Sequence, residues 1–194
     1  MRRSARGSSL VETLVVASLL TVMVTFAAVQ WVWWRQGQRL RGAVADLSLR
    51  IAAAQALAAT SGTTHGLAFD AVPPDLTWRL IRDGDGDGVG MADVASGVDA
   101  DLRRGGSLGR RFPGVRVGLP AGIPVPRGSS RPPDGVAFGR SDILSLRPDG
   151  RSSSGTIYLC AAASRCAALR IYGVTGRRRV LWWSPEQAAW RPPA

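Results

Sequence analysis

Lysine is absent from this sequence, and histidine and cysteine are almost absent. All 25 basic residues are arginine, and the 194 residues include one histidine and two cysteines. The GxSxG, HExxH and P-loop motifs do not occur, and two cysteines with one distant histidine make a poor zinc site. His65 has no cysteine and no serine elbow beside it, so we interpret it as a surface or capping residue. We therefore expect neither an enzyme nor a protein that requires a cofactor.

Residues 13–34 contain no charge, no proline and no glycine. Their length matches the ~20 apolar residues that cross a bilayer. A basic leader, MRRSARG, precedes them, and Glu12 is the one carboxylate at their start. A cleavable secretory signal has a shorter apolar core followed by a small-residue cleavage site, whereas here the small residue Gly7 precedes the apolar run. This order predicts removal of residues 1–7 and a mature protein that begins with the hydrophobic helix.

The sequence GSSLVE at residues 7–12 resembles the class III signal of type IV pilins and type II secretion pseudopilins. The resemblance implies cleavage by a prepilin peptidase between Gly7 and Ser8, N-methylation of Ser8, and a role in filament assembly for Glu12. The family usually has phenylalanine where this chain has Ser8. A carboxylate inside an apolar membrane segment usually has a partner, and the N-terminal amine of a neighbouring subunit would suit. The alternative is that Glu12 reaches the cytoplasmic headgroups.

Arginines flank both ends of the apolar run, so their number does not fix the orientation of the chain in the membrane. The short leader fits only the cytoplasmic end. We therefore expect a single-pass protein of the inner membrane with its C-terminal domain in the periplasm. An oxidising periplasm would allow Cys160 and Cys166 to form a disulfide. An interfacial aromatic belt is expected at the far end of the run, formed by Trp31, Trp33 and Trp34.

Beyond the membrane the pattern of apolar residues changes twice. A stripe at three- and four-residue steps, typical of an amphipathic helix, comes first: Leu40, Val44, Leu47, Ile51 and Ala54. It predicts one helix over residues 8–61, membrane-spanning to about Trp34. Short runs bounded by glycine, proline and aspartate follow in residues 62–194 and predict β-strands: 66–71, 76–82, 115–119, 135–138, 143–147, 155–161, 169–174 and 180–183. An irregular loop is expected over residues 102–133, which are rich in glycine, proline, serine and arginine.

These patterns predict an α+β fold. A long, pilin-like N-terminal hydrophobic helix is followed by a small antiparallel β-sandwich or β-sheet domain. The C-terminal third resembles the GspH/FimT domain in four successive blocks: PDG at 148–150, SGTIYL at 154–159, LRIYGV at 169–174 and GRRR at 176–179. Together with the N-terminal signal, this resemblance covers residues 1–65 and 134–183.

The GspH/FimT resemblance implies a minor pseudopilin, a structural subunit at or near the tip of a type II secretion or related type IV filament. Its implied partners are the prepilin peptidase, the inner membrane, and other major and minor pseudopilins that pack against its N-terminal helix. The alternative that it implies is a FimT-like minor pilin that binds DNA during natural transformation, with DNA-binding residues Arg177, Arg178 and Arg179.

Charge is unevenly distributed along the chain. The formal net charge is +11, residues 70–101 hold eight of the 14 acids, and residues 102–194 carry sixteen arginines against four acids, a net of +12. A basic second half fits phosphate-rich or acidic partners, although a genomic bias towards arginine explains it as simply. For residues 177–179 the functional interpretation is phosphate binding by guanidinium groups. The structural interpretation is a solvated turn between strands.

Residues 83–88 read DGDGDG, which matches positions 1, 3, 5 and 6 of an EF-hand calcium loop. Position 12, where a bidentate carboxylate is needed, is Val94. Asp93 is one residue early, and Asp99 or Asp101 could complete a looser site. The alternatives are a flexible acidic turn and a weak Ca²⁺ site formed by Asp83, Asp85, Asp87 and Asp93.

Overall fold

A computed structural model of the protein describes residues 10–162 and 164–193. The leader and the predicted cleavage and methylation residues, Gly7 and Ser8, lie outside the described residues. The chain divides into two compact units, residues 1–35 and residues 36–194. The first helix, α1 (Leu10–Ser61), contributes residues to both units.

The described part of the first unit is helical and strongly apolar. An 18-residue window of α1 has a mean hydropathy of 2.1, so the helix is long and apolar enough to cross a membrane. Its apolar side chains are exposed, with Leu10 at 74% and Phe26 at 71%. Its hydroxyl groups donate hydrogen bonds to backbone carbonyls three or four residues earlier, as seen at Thr13, Ser18, Thr21 and Thr25. The surface of this stretch is therefore largely apolar, and these four hydroxyl groups are bonded to their own helix.

Residues 36–61 of α1 supply part of the core of the second unit. The stripe that the periodicity predicts is buried: Leu47 is 1% exposed, and Ala43 and Ala58 are fully buried. The helix ends at Ser61, where the next residue, Gly62, adopts a positive φ of 69° that favours glycine. The predicted helix end is thus correct.

The described residues of the second unit contain ten strands, which pair antiparallel in two sheets. The first sheet consists of β1 (His65–Val72), β2 (Asp75–Arg82), β3 (Ala100–Arg104) and β6 (Ile143–Leu146), in the order β3-β2-β1-β6. The second consists of β4 (Arg116–Val117), β5 (Val136–Ala137), β7 (Gly155–Ala162), β8 (Arg165–Tyr172), β9 (Arg177–Ser184) and β10 (Ala189–Arg191). Its order is β10-β9-β8-β7-β4, with β5 also paired to β7.

One buried cluster joins side chains of α1 to side chains of both sheets. The helix stripe and the inward residues of the strands therefore form a single hydrophobic core, as a small domain needs in order to bury enough apolar surface. Two short helices lie in the connections between strands, α2 (Met91–Ser96) and α3 (Leu108–Arg111). The α+β class, with a long apolar N-terminal helix followed by antiparallel β-structure, is confirmed.

The strand predictions differ from the structure mainly at the edges of the sheets. β3 and β10 are not predicted, and β8 begins at Arg165 rather than at residue 169. Four of the five residues of β3 are exposed, and its sequence, ADLRR, contains no β-branched or aromatic residue that would favour a strand. Edge strands of this kind are short and charged because an apolar edge would invite aggregation. Their hydrophobic signal is correspondingly weak.

The irregular loop predicted over residues 102–133 is only partly irregular, because its first half contains the end of β3, the helix α3 and the strand β4. Residues 118–135 contain no regular secondary structure. They are nevertheless fastened to the outer face of the second sheet, the face turned away from α1. Arg170 on β8 donates hydrogen bonds to the carbonyl oxygens of Arg127 at 2.7 Å and Gly128 at 2.8 Å. The Tyr158 hydroxyl donates to the carbonyl oxygen of Ser130 at 2.9 Å. The segment therefore covers the sheet rather than extending into solvent.

Asp75 connects β2 to α3 through its carboxylate. Its Oδ1 accepts hydrogen bonds from the backbone amides of Leu76 at 2.8 Å and Gly109 at 2.9 Å. Burial alone would raise the pKa of Asp75. These two amides and the Ser107 hydroxyl outweigh burial, and with the charge of Arg110 they hold the pKa of Asp75 below its ordinary value. The ionised form therefore stabilises this connection.

Candidate functional site: an arginine hairpin and an acidic loop

The GRRR sequence lies at the turn between β8 and β9, and the backbone requires its glycine. Gly176 has a φ of +60°, in the left-handed region. A Cβ atom at this position would lie 2.4 Å from the carbonyl oxygen of Gly150. Any other residue would be strained and would collide with the backbone. The turn alone therefore explains this glycine.

The arginines that follow point to different sides of the sheet because side chains alternate along a strand. Arg178 lies opposite Ile171, which is 1% exposed and belongs to the core. The Nη1 atom of Arg178 donates a hydrogen bond to the carbonyl oxygen of Ser48 in α1 at 3.3 Å. Arg178 therefore fastens β9 to the helix.

Arg177 and Arg179 lie on the outer face, opposite Tyr172 and Arg170 respectively. The guanidinium carbon of Arg170 lies 5.0 Å from the centre of the Tyr172 ring, within the range of a cation–π contact. We call these four residues the arginine face. Among the described carboxylates, none forms an ion pair with its three arginines.

A groove of about 610 Å³ runs beside the hairpin and is lined by Ser154, Tyr172, Val174 and residues 177–179, among others. Val174 at the turn is 84% exposed. Guanidinium groups bind carboxylates and phosphates through paired hydrogen bonds. The arginine face and the groove can therefore bind an anion, whereas the sequence alone assigns this role equally to all three consecutive arginines.

The acidic loop, residues 83–88, lies between β2 and α2 and brings three carboxylates together. One oxygen of each of Asp83, Asp85 and Asp87 lies within 4.8 Å of the others. Asp83 is buried and accepts hydrogen bonds from the amides of Gly86 at 2.7 Å and Gly88 at 3.1 Å. Asp85 and Asp87 are exposed. The loop is thus folded around Asp83 and presents the other two carboxylates to solvent.

The other acids named for a calcium site have different roles. Asp99 is 2% exposed and accepts hydrogen bonds from the amides of Gly84 at 3.1 Å and Gly90 at 3.0 Å. Asp101 forms ion pairs with arginines of β2 and β3. Asp93 lies in the first turn of α2, outside the group of three carboxylates. The three grouped carboxylates suit Ca²⁺, which prefers oxygen ligands, but six to eight ligands are usual.

The grouping of carboxylates raises the pKa of Asp87 above its ordinary value. The causes, in order, are a hydrogen bond to Asp85, the charge of Asp85, burial, and the charges of Asp93 and Asp83. A nearby cation would counter this repulsion. The sequence pattern identifies the exposed acids of the loop, but the buried support by Asp99 has no local signal because its partners are nine and fifteen residues away.

The predicted disulfide is present in the structure. Cys160 and Cys166 lie opposite each other on β7 and β8, with Sγ atoms 2.03 Å apart. Glu12 lies in the first turn of α1 and is exposed. His65 is not a surface residue: it is 1% exposed, and its Nδ1 lies 3.1 Å from the carbonyl oxygen of Thr63. Its position at the start of β1, where the strand enters the core, overrides the expectation of exposure.

No protein-family model, no curated protein and no solved structure matches this chain.

Proposed function

We propose that this chain is a minor pseudopilin, a structural subunit of a type II secretion or related type IV filament, at or near its tip. The observation that carries the proposal is the GSSLVE sequence at the start of one long helix, α1, whose first three residues it includes. This helix is apolar and exposed in its first half and part of a domain core in its second. An exposed apolar helical surface needs lipid or other helices to cover it. Other pseudopilins would pack against this helix, and the C-terminal domain would lie in the periplasm.

Mass spectrometry of the protein from cells that express a prepilin peptidase tests the proposal. The expected N-terminus is Ser8, and it carries a methyl group if the peptidase also methylates it. Cells without the peptidase are the control and should give a chain that retains the leader. A processed Glu12→Ala variant should begin at Ser8 but fail to enter filaments. An intact leader in the presence of an active peptidase, or cleavage beyond Trp34, would contradict the proposal.

The alternative function is DNA binding by a FimT-like minor pilin. The observation that favours it is the outward position of Arg177 and Arg179 without an ion-pair partner among the described residues. The double variant Arg177→Ala/Arg179→Ala should weaken DNA binding. It should also reduce the slope of log K against log salt by roughly two, because each neutralised phosphate contributes about 0.9.

A control variant with the same loss of charge separates local from general electrostatics. Arg147→Ala/Arg151→Ala removes two exposed arginines whose partner is Asp149. It should leave the salt slope close to that of the wild type. Equal slopes for the wild type and for the variant of the arginine face would exclude this face as a DNA site, and the basic turn would then be structural.

A further inference from the structure

Two surfaces of the second unit carry opposite charge, and on each of them groups of like charge lie close together. On the arginine face, Arg170 and Arg179 are directly opposite each other on neighbouring strands. Like charges in this arrangement are destabilising. Arg170 cannot turn away from its neighbour without loss, because it is held by the carbonyl oxygens of Arg127 and Gly128 and by the Tyr172 ring.

The acidic loop is the converse case. Three carboxylates lie within 4.8 Å of one another, and within the described part of the chain none of them forms an ion pair with an arginine or with His65. Asp83 is engaged by backbone amides, which leaves Asp85 and Asp87 for an external cation. Between the aspartates stand only glycines. The loop is therefore narrow, and its carboxylates are its only large groups.

These surfaces do not neutralise each other within one chain, as far as the described residues show. We propose that the arginine face of one copy binds the acidic loop of a second copy, with Arg177 and Arg179 opposite Asp85 and Asp87. Guanidinium–carboxylate pairs are the strongest hydrogen-bonded ion pairs available to these side chains. The groove beside the hairpin gives the glycine-rich loop space to approach.

A protein partner is favoured over nucleic acid because one contact then relieves the repulsion on both surfaces. DNA would neutralise the arginine face and leave the acidic loop unchanged. The proposed contact uses a different surface on each copy, so it is heterologous and extends into a row of subunits unless a ring closes. It rests on the proposed filament function and deepens it, because it requires at least two neighbouring copies of the chain near the tip.

Complementary charge reversal tests the contact. The full chain is purified in detergent with a chelator, and self-association is measured at low salt by analytical ultracentrifugation. Arg177→Asp/Arg179→Asp and Asp85→Arg/Asp87→Arg should each lower the association constant by about 100-fold or more, because like charges then face each other. An equimolar mixture of the two variants should recover association, since the intact arginine face of one meets the intact acidic loop of the other.

Recovery in the mixture cannot arise from misfolded variants. Arg147→Asp/Arg151→Asp, which reverses two arginines outside the arginine face, should associate as the wild type does. Wild-type protein that does not self-associate at low salt would overturn the contact, as would a mixture that behaves like its separate components. Loss of DNA binding in the arginine variant without any change in self-association would assign the face to nucleic acid instead. Mass spectrometry of the N-terminus tests the pseudopilin proposal independently, because processing at Ser8 does not depend on this contact.

Discussion

Replacement of Leu47 by alanine tests which face of α1 is buried in the second unit. Leu47 is 1% exposed and belongs to the cluster that joins the helix to both sheets. The substitution removes three carbon atoms, which corresponds to about 2.4 kcal/mol of transfer free energy at ~0.8 kcal/mol per methylene. The cavity left behind raises the expected loss to roughly 3–4 kcal/mol. This is a large fraction of the roughly 5–15 kcal/mol by which a folded protein is stable.

Leu49→Ala is the matched control, because the same atoms are removed two residues away. Leu49 is 70% exposed, so its replacement should change the free energy of unfolding by no more than about 0.5 kcal/mol. Thermal unfolding of the full chain in detergent, followed by near-UV circular dichroism, should show a drop of roughly 10 °C for Leu47→Ala. The control should melt within a degree or two of the wild type. Equal losses, or a larger loss for Leu49→Ala, would refute the assignment of the buried face.

Three further predictions address the disulfide, the acidic loop and a carboxylate. The native protein should titrate no free thiol, and replacement of Cys160 and Cys166 by serine should cost only about 2 kcal/mol because the loop that they close is short; two reactive thiols would exclude the bond. If the acidic loop binds Ca²⁺, a chelator should lower the melting temperature and Asp85→Ala should abolish that shift, whereas a melting curve unaffected by Ca²⁺ or chelator would leave a plain turn. Asp75→Asn should cost about 2 kcal/mol at pH 7. Because the folded pKa of Asp75 is lowered, its contribution to stability is present above the unfolded pKa and disappears as the pH falls through the folded pKa. The free energies of unfolding of wild type and variant should therefore converge in acid. A difference between them that stays constant with pH would contradict the reasoning.

Local patterns predict the elements of this fold that bury a helical stripe or a run of apolar residues. The stripe from Leu40 to Ala54 repeats at helical spacing and is buried, and the long strands β1, β2 and β7 lie where short apolar runs predict them. β3 is missed because an exposed edge strand buries almost nothing and therefore needs no run of strongly apolar residues. His65 is misjudged for the opposite reason. A polar residue gives no sign of burial when its place is set by a strand that enters the core.

The candidate sites divide in the same way. The DGDGDG sequence identifies the acids that are exposed, because their spacing is local. The sequence names Asp99 only as one of several acids that could complete a site, and the folded structure shows that it supports the loop through the amides of Gly84 and Gly90. The cysteines are intermediate: their compartment makes a bond chemically allowed, but only the register of β7 with β8 places Cys160 opposite Cys166. The sequence thus shows which chemical groups are present, and the pairing of the strands shows which of them come together in one site.

The arginine hairpin shows how the pairing of strands determines which side chains can meet a ligand. Three identical residues in a row carry no information about which of them meets a ligand. The register of β9 with β8 turns Arg178 towards Ser48 of α1 and turns Arg177 and Arg179 to the side of Arg170. A shift of one residue would reverse these roles, since side chains alternate between the faces of a sheet. Gly176 fixes that register through a turn that other residues cannot adopt without strain. The glycine of GRRR therefore need not touch an anion to determine which arginines can bind one.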